Sequence, residues 1–207
     1  MAGAHAPLRG GAEPLMRGLT SERATVVLFG DSLSQYGFQE GGWAAAVADA
    51  LTRKADVYNR GYGGYNTRWG RHLLPHMFPA RGRKHLVVTV WFGANDASIP
   101  GEHAHVPLDE YADNLKAIVL HLKTVAEHVI VITPPPVHGP TRLKFQREKY
   151  GDQGRLERTT EIAGQYAAAA RHIAGYTGAE VVDIWSLMLA EGDDAWPAFL
   201  GAGMEGG

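Results

Sequence analysis

Residues 85–92, HLVVTVWF, form a nearly continuous apolar run. A run of that kind suits a strand buried on both faces of a parallel sheet better than one with a wet side. It does not stand alone. Shorter β-branched or apolar runs at 25–29 (TVVLF), 56–60, 129–133 and 180–184 alternate with helical patterns at 42–54, 67–76, 108–125 and 155–176. In the stretch 108–125, Leu108, Tyr111, Ala112, Leu115, Ile118, Val119 and Leu122 recur at helical spacing, with Asp109 and Glu110 in the first turn, where the helix dipole favours acids. Parallel strands joined through helices cross over right-handedly and need cover on both faces. The alternation therefore predicts an α/β fold, a three-layer α/β/α sandwich of about five parallel strands, with any site outside the carboxyl ends of the strands. Pro134, Pro135 and Pro136 end the fourth strand, and a loop of mixed charge is expected from there to about Gly154, placed where a lid would lie. Residues 185–199 carry no clear pattern.

Composition narrows the function classes. With 207 residues, 45% apolar and 20% charged, the chain is long enough to bury a core in one domain without covalent staples. It has no cysteine, which removes disulfide scaffolds, thiol nucleophiles and thiolate metal sites. The formal charge of −2 offers no electrostatic footprint for nucleic acid or an anionic membrane surface. No apolar stretch approaches the 18 residues a membrane span needs. Residues 1–24 are rich in Ala, Gly and Arg without the apolar segment of a secretory signal, and read as a flexible tail ahead of a single domain at 25–207. A cytoplasmic protein is expected. Organellar targeting by the tail, where Arg9, Arg17 and Arg23 outnumber Glu13 and Glu22, is the alternative. Oligomeric state is not readable.

Polar clusters follow the first three strands: Gly30, Asp31, Ser32; then Gly63, Gly64; then Gly93, Ala94, Asn95, Asp96. A serine at a strand-to-helix turn exposes its hydroxyl while its own N–H points into the same crevice; a glycine N–H and an asparagine amide add two more donors for a developing oxyanion. Acyl transfer is the chemistry this set suits. Asp31 beside the serine and Trp69 beside the glycine loop are the candidate substrate contacts. Taken singly, Asp31 and Ser32 also fit an ordinary helix N-cap. The glycines do not make a dinucleotide fingerprint, because Asn66 stands at the third glycine position. His72 and His76 have the i, i+4 spacing of zinc ligands, but Pro75 interrupts the turn and no Glu follows His72. His103 and His105 near Glu102 are read as polar loop residues rather than ligands. Neither a metal nor an organic cofactor is expected. Trp43 and Trp91 read as packing residues before pocket residues.

Gly30, Asp31, Ser32, Leu33, followed by Ser34, resembles the first block of the SGNH or GDSL hydrolases. Residues 59–67 (NRGYGGYNT) are similar to the second block, and 93–96 (GAND) to the third. The stretches 64–69 (GYNTRW) and 132–136 (ITPPP) resemble the isoamyl acetate-hydrolysing esterase branch in particular. The resemblance runs from about Val26 to Leu200 and implies a flavodoxin-like SGNH fold. It implies Ser32 as nucleophile, Gly64 and Asn95 with the Ser32 N–H as oxyanion hole, and small carboxylic esters, acetates of short alcohols above all, as substrates. The family's fourth block, Asp-x-x-His, has no counterpart: none of the 10 histidines has an aspartate three residues before it. In the natural register Ala202 and Glu205 take those two positions, which reads as a chain truncated at its C-terminus. His138, in the loop past the fourth strand, is the remaining candidate base. A non-catalytic SGNH-fold protein holding an ester or acyl ligand is the alternative reading.

Overall fold

The computed structural model describes residues 23–80, 82–193 and 195–200. The first strand, β1, is Ala24–Gly30; the short helix α1 is Ser32–Gln35, and α2 is Trp43–Ala50. Strand β2 spans Ala55–Gly61, α3 Thr67–Met77, β3 His85–Trp91 and α4 Leu108–Val125. Then come β4 at Ala126–Ile132, α5 at Gly139–Tyr150, α6 at Thr160–Thr177, β5 at Glu180–Val182 and α7 at Ile184–Ala190. All strand pairs are parallel, in the order β2-β1-β3-β4-β5. In this doubly wound order the chain reverses direction across the sheet between β1 and β3, and the crevice at their carboxyl ends is where such sheets bind ligands.

Strand β1 shows why the sheet needs cover on both sides. Its side chains alternate between faces. Val27 and Phe29 join the larger core, where Phe29 meets the rings of Phe78 and Phe92 edge-on, with centroids 5.2 and 5.0 Å away. Residues of α3, α4 and α6 complete that core, among them Leu74, Leu115, Ile118, Leu122, Tyr166 and Ile173. Val26 and Leu28 point the other way, into a smaller cluster with Ala44 of α2 and Ala55.

Two expectations are corrected. The loop expected from 137 to 154 is mostly helical, as α5 followed by a 3-10 turn at Gly151–Gln153. Pro140 sits in the first turn of α5, where a missing N–H costs nothing. The helix expected from 155 begins only at Thr160, where Thr159 caps it by accepting from the Ile162 N–H at 3.2 Å. Residues 154–159 are thereby left as connecting chain that reaches the crevice. Of the expected tail, Ala24 already belongs to β1 and Arg23 pairs with Asp56 at 3.4 Å; the rest lies outside the described residues, as do Ala202 and Glu205. Among the described residues no helix is long and apolar enough to cross a membrane.

Candidate active site

The chain leaves β1 at Gly30 and turns at Asp31, which caps α1: its Oδ1 accepts the Leu33 N–H at 2.9 Å. The capping expectation thus holds for Asp31, and Ser32 becomes the first helical residue. Its backbone N–H is one of the four that a helix cannot satisfy internally. Among the described residues neither that N–H nor the Ser32 hydroxyl has a hydrogen-bond partner.

Strand β2 ends directly beneath α1. A Cβ on Gly61 would stand 2.0 Å from the Gln35 nitrogen, so only glycine lets the two backbones approach this closely. Asn59 ties them together, donating to Ser34 O at 2.8 Å and Gln35 O at 3.1 Å while accepting from the Gly61 N–H at 2.8 Å. Gln35 then reaches back, its Oε1 accepting from the Gly63 N–H at 2.5 Å. Gly64 follows with φ of +78° and open space before it, a conformation that favours glycine. Its N–H is unpaired among the described residues.

Asn95 comes from the turn after β3 and is almost fully buried. Its Nδ2 donates to Tyr65 O at 2.8 Å and stands 3.4 Å from Asp31 Oδ2, while Oδ1 accepts from Arg158 Nη2 at 2.8 Å. Its neighbour Asp96 is enclosed and accepts from both the Thr67 N–H, at 2.9 Å, and the Thr67 hydroxyl. Together with the Asn66 cap on the Trp69 N–H, that fixes the start of α3 against the turn. Burial pushes Asp31 up to about 7, against the opposing Leu33 N–H and the Arg158 charge; burial likewise pushes Asp96 up to about 6, against the Thr67 hydrogen bonds.

Ser32 stands where two cavities meet. One, of about 450 Å³, is lined by Leu33, Tyr36, Trp43, Trp91, Ala94 and Met188 besides Ser32. The other, of about 660 Å³, joins Ser32 to Gly64, Asn95, Ser98, His103 and Arg158. The structure thus brings Ser32, Gly64 and Asn95 to one crevice. Asp31 is fully enclosed and touches no open space, so it holds the turn rather than a ligand. Trp69 lines neither cavity; it stands behind the Tyr65 and His103 rings at 5.3 and 5.2 Å. Trp43 and Trp91 do both things considered for them: they pack against each other at 5.4 Å, with indole N–H groups on Leu33 O and Thr133 O, and they wall the first cavity.

His138 lines a neighbouring cavity, where its Nδ1 is paired with Thr141 at 2.7 Å and its ring meets Trp196. It is not among the residues that line either cavity at Ser32. His72 and His76 have ring centroids 6.4 Å apart, and His105 bonds Ser98 O at 2.6 Å; no cluster of three or more metal-ligating side chains occurs among the described residues. Sequence reasoning missed Arg158, which reaches Asn95 only through the fold, and the roles of Gln35 and Asn59, which join the turn after β1 to the end of β2.

Comparison with known proteins identifies the family. The chain matches the GDSL-like Lipase/Acylhydrolase family over residues 28–203. It is 43% identical over 179 residues to a GDSL esterase/lipase of Arabidopsis thaliana, covering 83% of this chain and 74% of that protein. It is also 43% identical over 176 residues to an isoamyl acetate-hydrolyzing esterase 1 homolog of Mus musculus, covering 82% and 70%. A variant of an acetyl-xylooligosaccharide esterase from a Geobacillus has the same fold at a TM-score of 0.65 and 21% identity, covering 86% of this chain and 84% of that one. A family match that runs from residue 28 in β1 to residue 203, with relatives 43% identical over most of the chain, places the chain in the GDSL-like lipase/acylhydrolase family.

Proposed function

We propose that the protein is a serine ester hydrolase for small carboxylic esters, with acetates of short alcohols the favoured class. The observation that carries the reading is the meeting of Ser32, Gly64 and Asn95 at one cavity. Ser32 Oγ attacks the ester carbonyl carbon, and the carbonyl oxygen becomes an oxyanion held by the N–H groups of Ser32 and Gly64 and by Asn95 Nδ2. Collapse of that intermediate breaks the bond to the alcohol oxygen, which takes the proton given up by Ser32 Oγ; water then adds to the acyl carbon, the bond to Oγ breaks, and the acid leaves as a proton from that water returns to Ser32. The relatives named for isoamyl acetate and the acetyl-ester structural neighbour support a small acyl group. Trp43 and Trp91 offer the apolar wall for one side of the ester, and the cavity bearing Asn95 and Arg158 the polar wall for the other.

The proton of Ser32 needs an acceptor, and no histidine in the sequence stands in an Asp-x-x-His pattern. Loss of a triad base costs about 10⁶ in turnover, whereas an oxyanion hole with binding leaves about 10³ to 10⁴ over water. That observation favours a second reading, a non-catalytic protein that holds an ester or acyl ligand in the same crevice. Hydrolysis of p-nitrophenyl acetate and labelling by a serine-reactive phosphonate separate the two. Slow turnover and labelling that vanish in Ser32→Ala support the esterase; the absence of both supports the binding protein.

A further inference from the structure

We infer that Arg158 is a positioning residue for the oxyanion site, acting as the obligate donor that fixes which end of the Asn95 carboxamide faces the substrate. The inference rests on the reading of Asn95 as an oxyanion donor. An asparagine side chain is nearly symmetric in shape but not in chemistry: one end donates and the other only accepts. A carboxamide turned the wrong way would set an oxygen against an oxyanion. Asn95 lies between two groups that cannot change roles. Tyr65 O, 2.8 Å from Nδ2, can only accept, and the Arg158 guanidinium, 2.8 Å from Oδ1, can only donate. Turning the amide over would replace two hydrogen bonds by two repulsive contacts. The cation also draws electron density toward Oδ1, which strengthens Nδ2–H as a donor.

The guanidinium is itself placed by an ion pair, although its Nε makes no hydrogen bond among the described residues. Its side chain is 19% exposed and its Nε lies 3.5 Å from Glu157 Oε1. Glu157 is anchored twice, through Arg142 on its carboxylate and through the Ile99 N–H on its carbonyl at 2.8 Å. Thr159, on the other side, caps α6. One Nδ2 hydrogen is committed to Tyr65 O; the other has only Asp31 Oδ2, at a long 3.4 Å, and is the one an oxyanion would take over.

The variants Arg158→Lys, Arg158→Gln and Arg158→Met separate a fixed donor from bulk alone, since lysine can only donate while glutamine can present either end. The measurements are the Ser32-dependent hydrolysis of p-nitrophenyl acetate, taken as the difference from Ser32→Ala, and the side-chain amide signals of Asn95 by ¹⁵N NMR. We expect kcat to fall about tenfold or more in Arg158→Gln and Arg158→Met with KM nearly unchanged, and about threefold or less in Arg158→Lys. Added guanidinium ion should restore part of the loss in Arg158→Met. The Asn95 amide signals should shift and broaden in Arg158→Gln and Arg158→Met but stay near their place in Arg158→Lys. Turnover within twofold of the parent in Arg158→Gln, or unchanged Asn95 signals, overturns the inference. A parent with no Ser32-dependent hydrolysis refutes the esterase reading instead, and the amide signals then decide the role of Arg158 by themselves. Should Arg158→Met not fold, Arg158→Gln against Arg158→Lys makes the same comparison.

Discussion

The carboxyl ends of β1, β2 and β3 and the strand β5 belong to one sheet, yet they are built to different standards. At the first three strand ends Asp31, Asn66 and Asp96 are completely enclosed, and turns from distant parts of the chain are joined through Asn59, Gln35 and Thr67. Strand β5 has only three residues, all exposed, with Val181 at 44% and Val182 at 41%, and among the described residues it pairs on one side only. Most polar groups taken out of water at this end find partners in other turns, which ties those turns together, while Ser34 Oγ and Asp96 Oδ2 are buried without a hydrogen bond among the described residues. Donors for an oxyanion must hold their place before the reaction begins, and the three proposed ones come from this end. Asp183, just beyond β5, serves structure: it accepts from Thr133, Arg171 and the Ser186 N–H, and so joins β4, α6 and α7.

The contrast is most exposed to failure at the nucleophile. Ser32→Ala should abolish phosphonate labelling, read by mass spectrometry, while leaving the melting temperature within a few degrees. Labelling that persists would move the chemistry away from the enclosed end. Asn95→Ala should lower Ser32-dependent turnover by about 10² to 10³, the usual loss for one oxyanion donor. Gly61→Ala pushes a methyl group into the Gln35 backbone and should cost about 2 to 4 kcal/mol in denaturant unfolding, because the atoms it meets cannot swing aside. At the exposed strand, Val182→Ala removes a larger group and should cost less than about 1 kcal/mol, since little apolar area leaves a packed site. A reversed order of these two would erase the distinction drawn between the regions.

A pH comparison sharpens it further. The Asp31 carboxyl is pushed up by burial from 3.8 to about 7, so folding favours its protonated form. Its contribution to stability is complete below pH 3.8 and is lost as pH rises toward about 7. Asp31→Asn lacks that titration. The difference in unfolding free energy between Asp31→Asn and the parent should therefore move in favour of the variant from pH 4 to pH 8, and a difference independent of pH would mean that Asp31 is less buried than described.

The parallel sheet, its strand number and the gathering of polar turns at one end were readable because each depends on local pattern: continuous apolar runs, helical spacing, and Gly or Asp at the turns. The misread parts were those where local pattern and tertiary demand diverge. Residues 155–159 resemble the start of a helix, but Glu157 is drawn to Arg142 and Ile99, and the cap falls at Thr159. Trp69 has the neighbours in sequence of a pocket residue, yet the ring packs behind Tyr65. Asp31 looks like a substrate contact beside Ser32 and is instead sealed inside the turn.

By itself the sequence determined the chemistry on offer: a hydroxyl, a glycine turn and a carboxamide, each placed after a strand, with no histidine in the pattern that would complete a triad. Strand ends in a parallel sheet meet whatever the loops contain, so order along the chain already implied a shared crevice. Only the tertiary structure decided which way the carboxamide faces, because that choice is made by a carbonyl 30 residues before Asn95 and a guanidinium 63 residues after it. Hydrogen-bond roles are assigned by neighbours in space, and no local pattern in the chain records them.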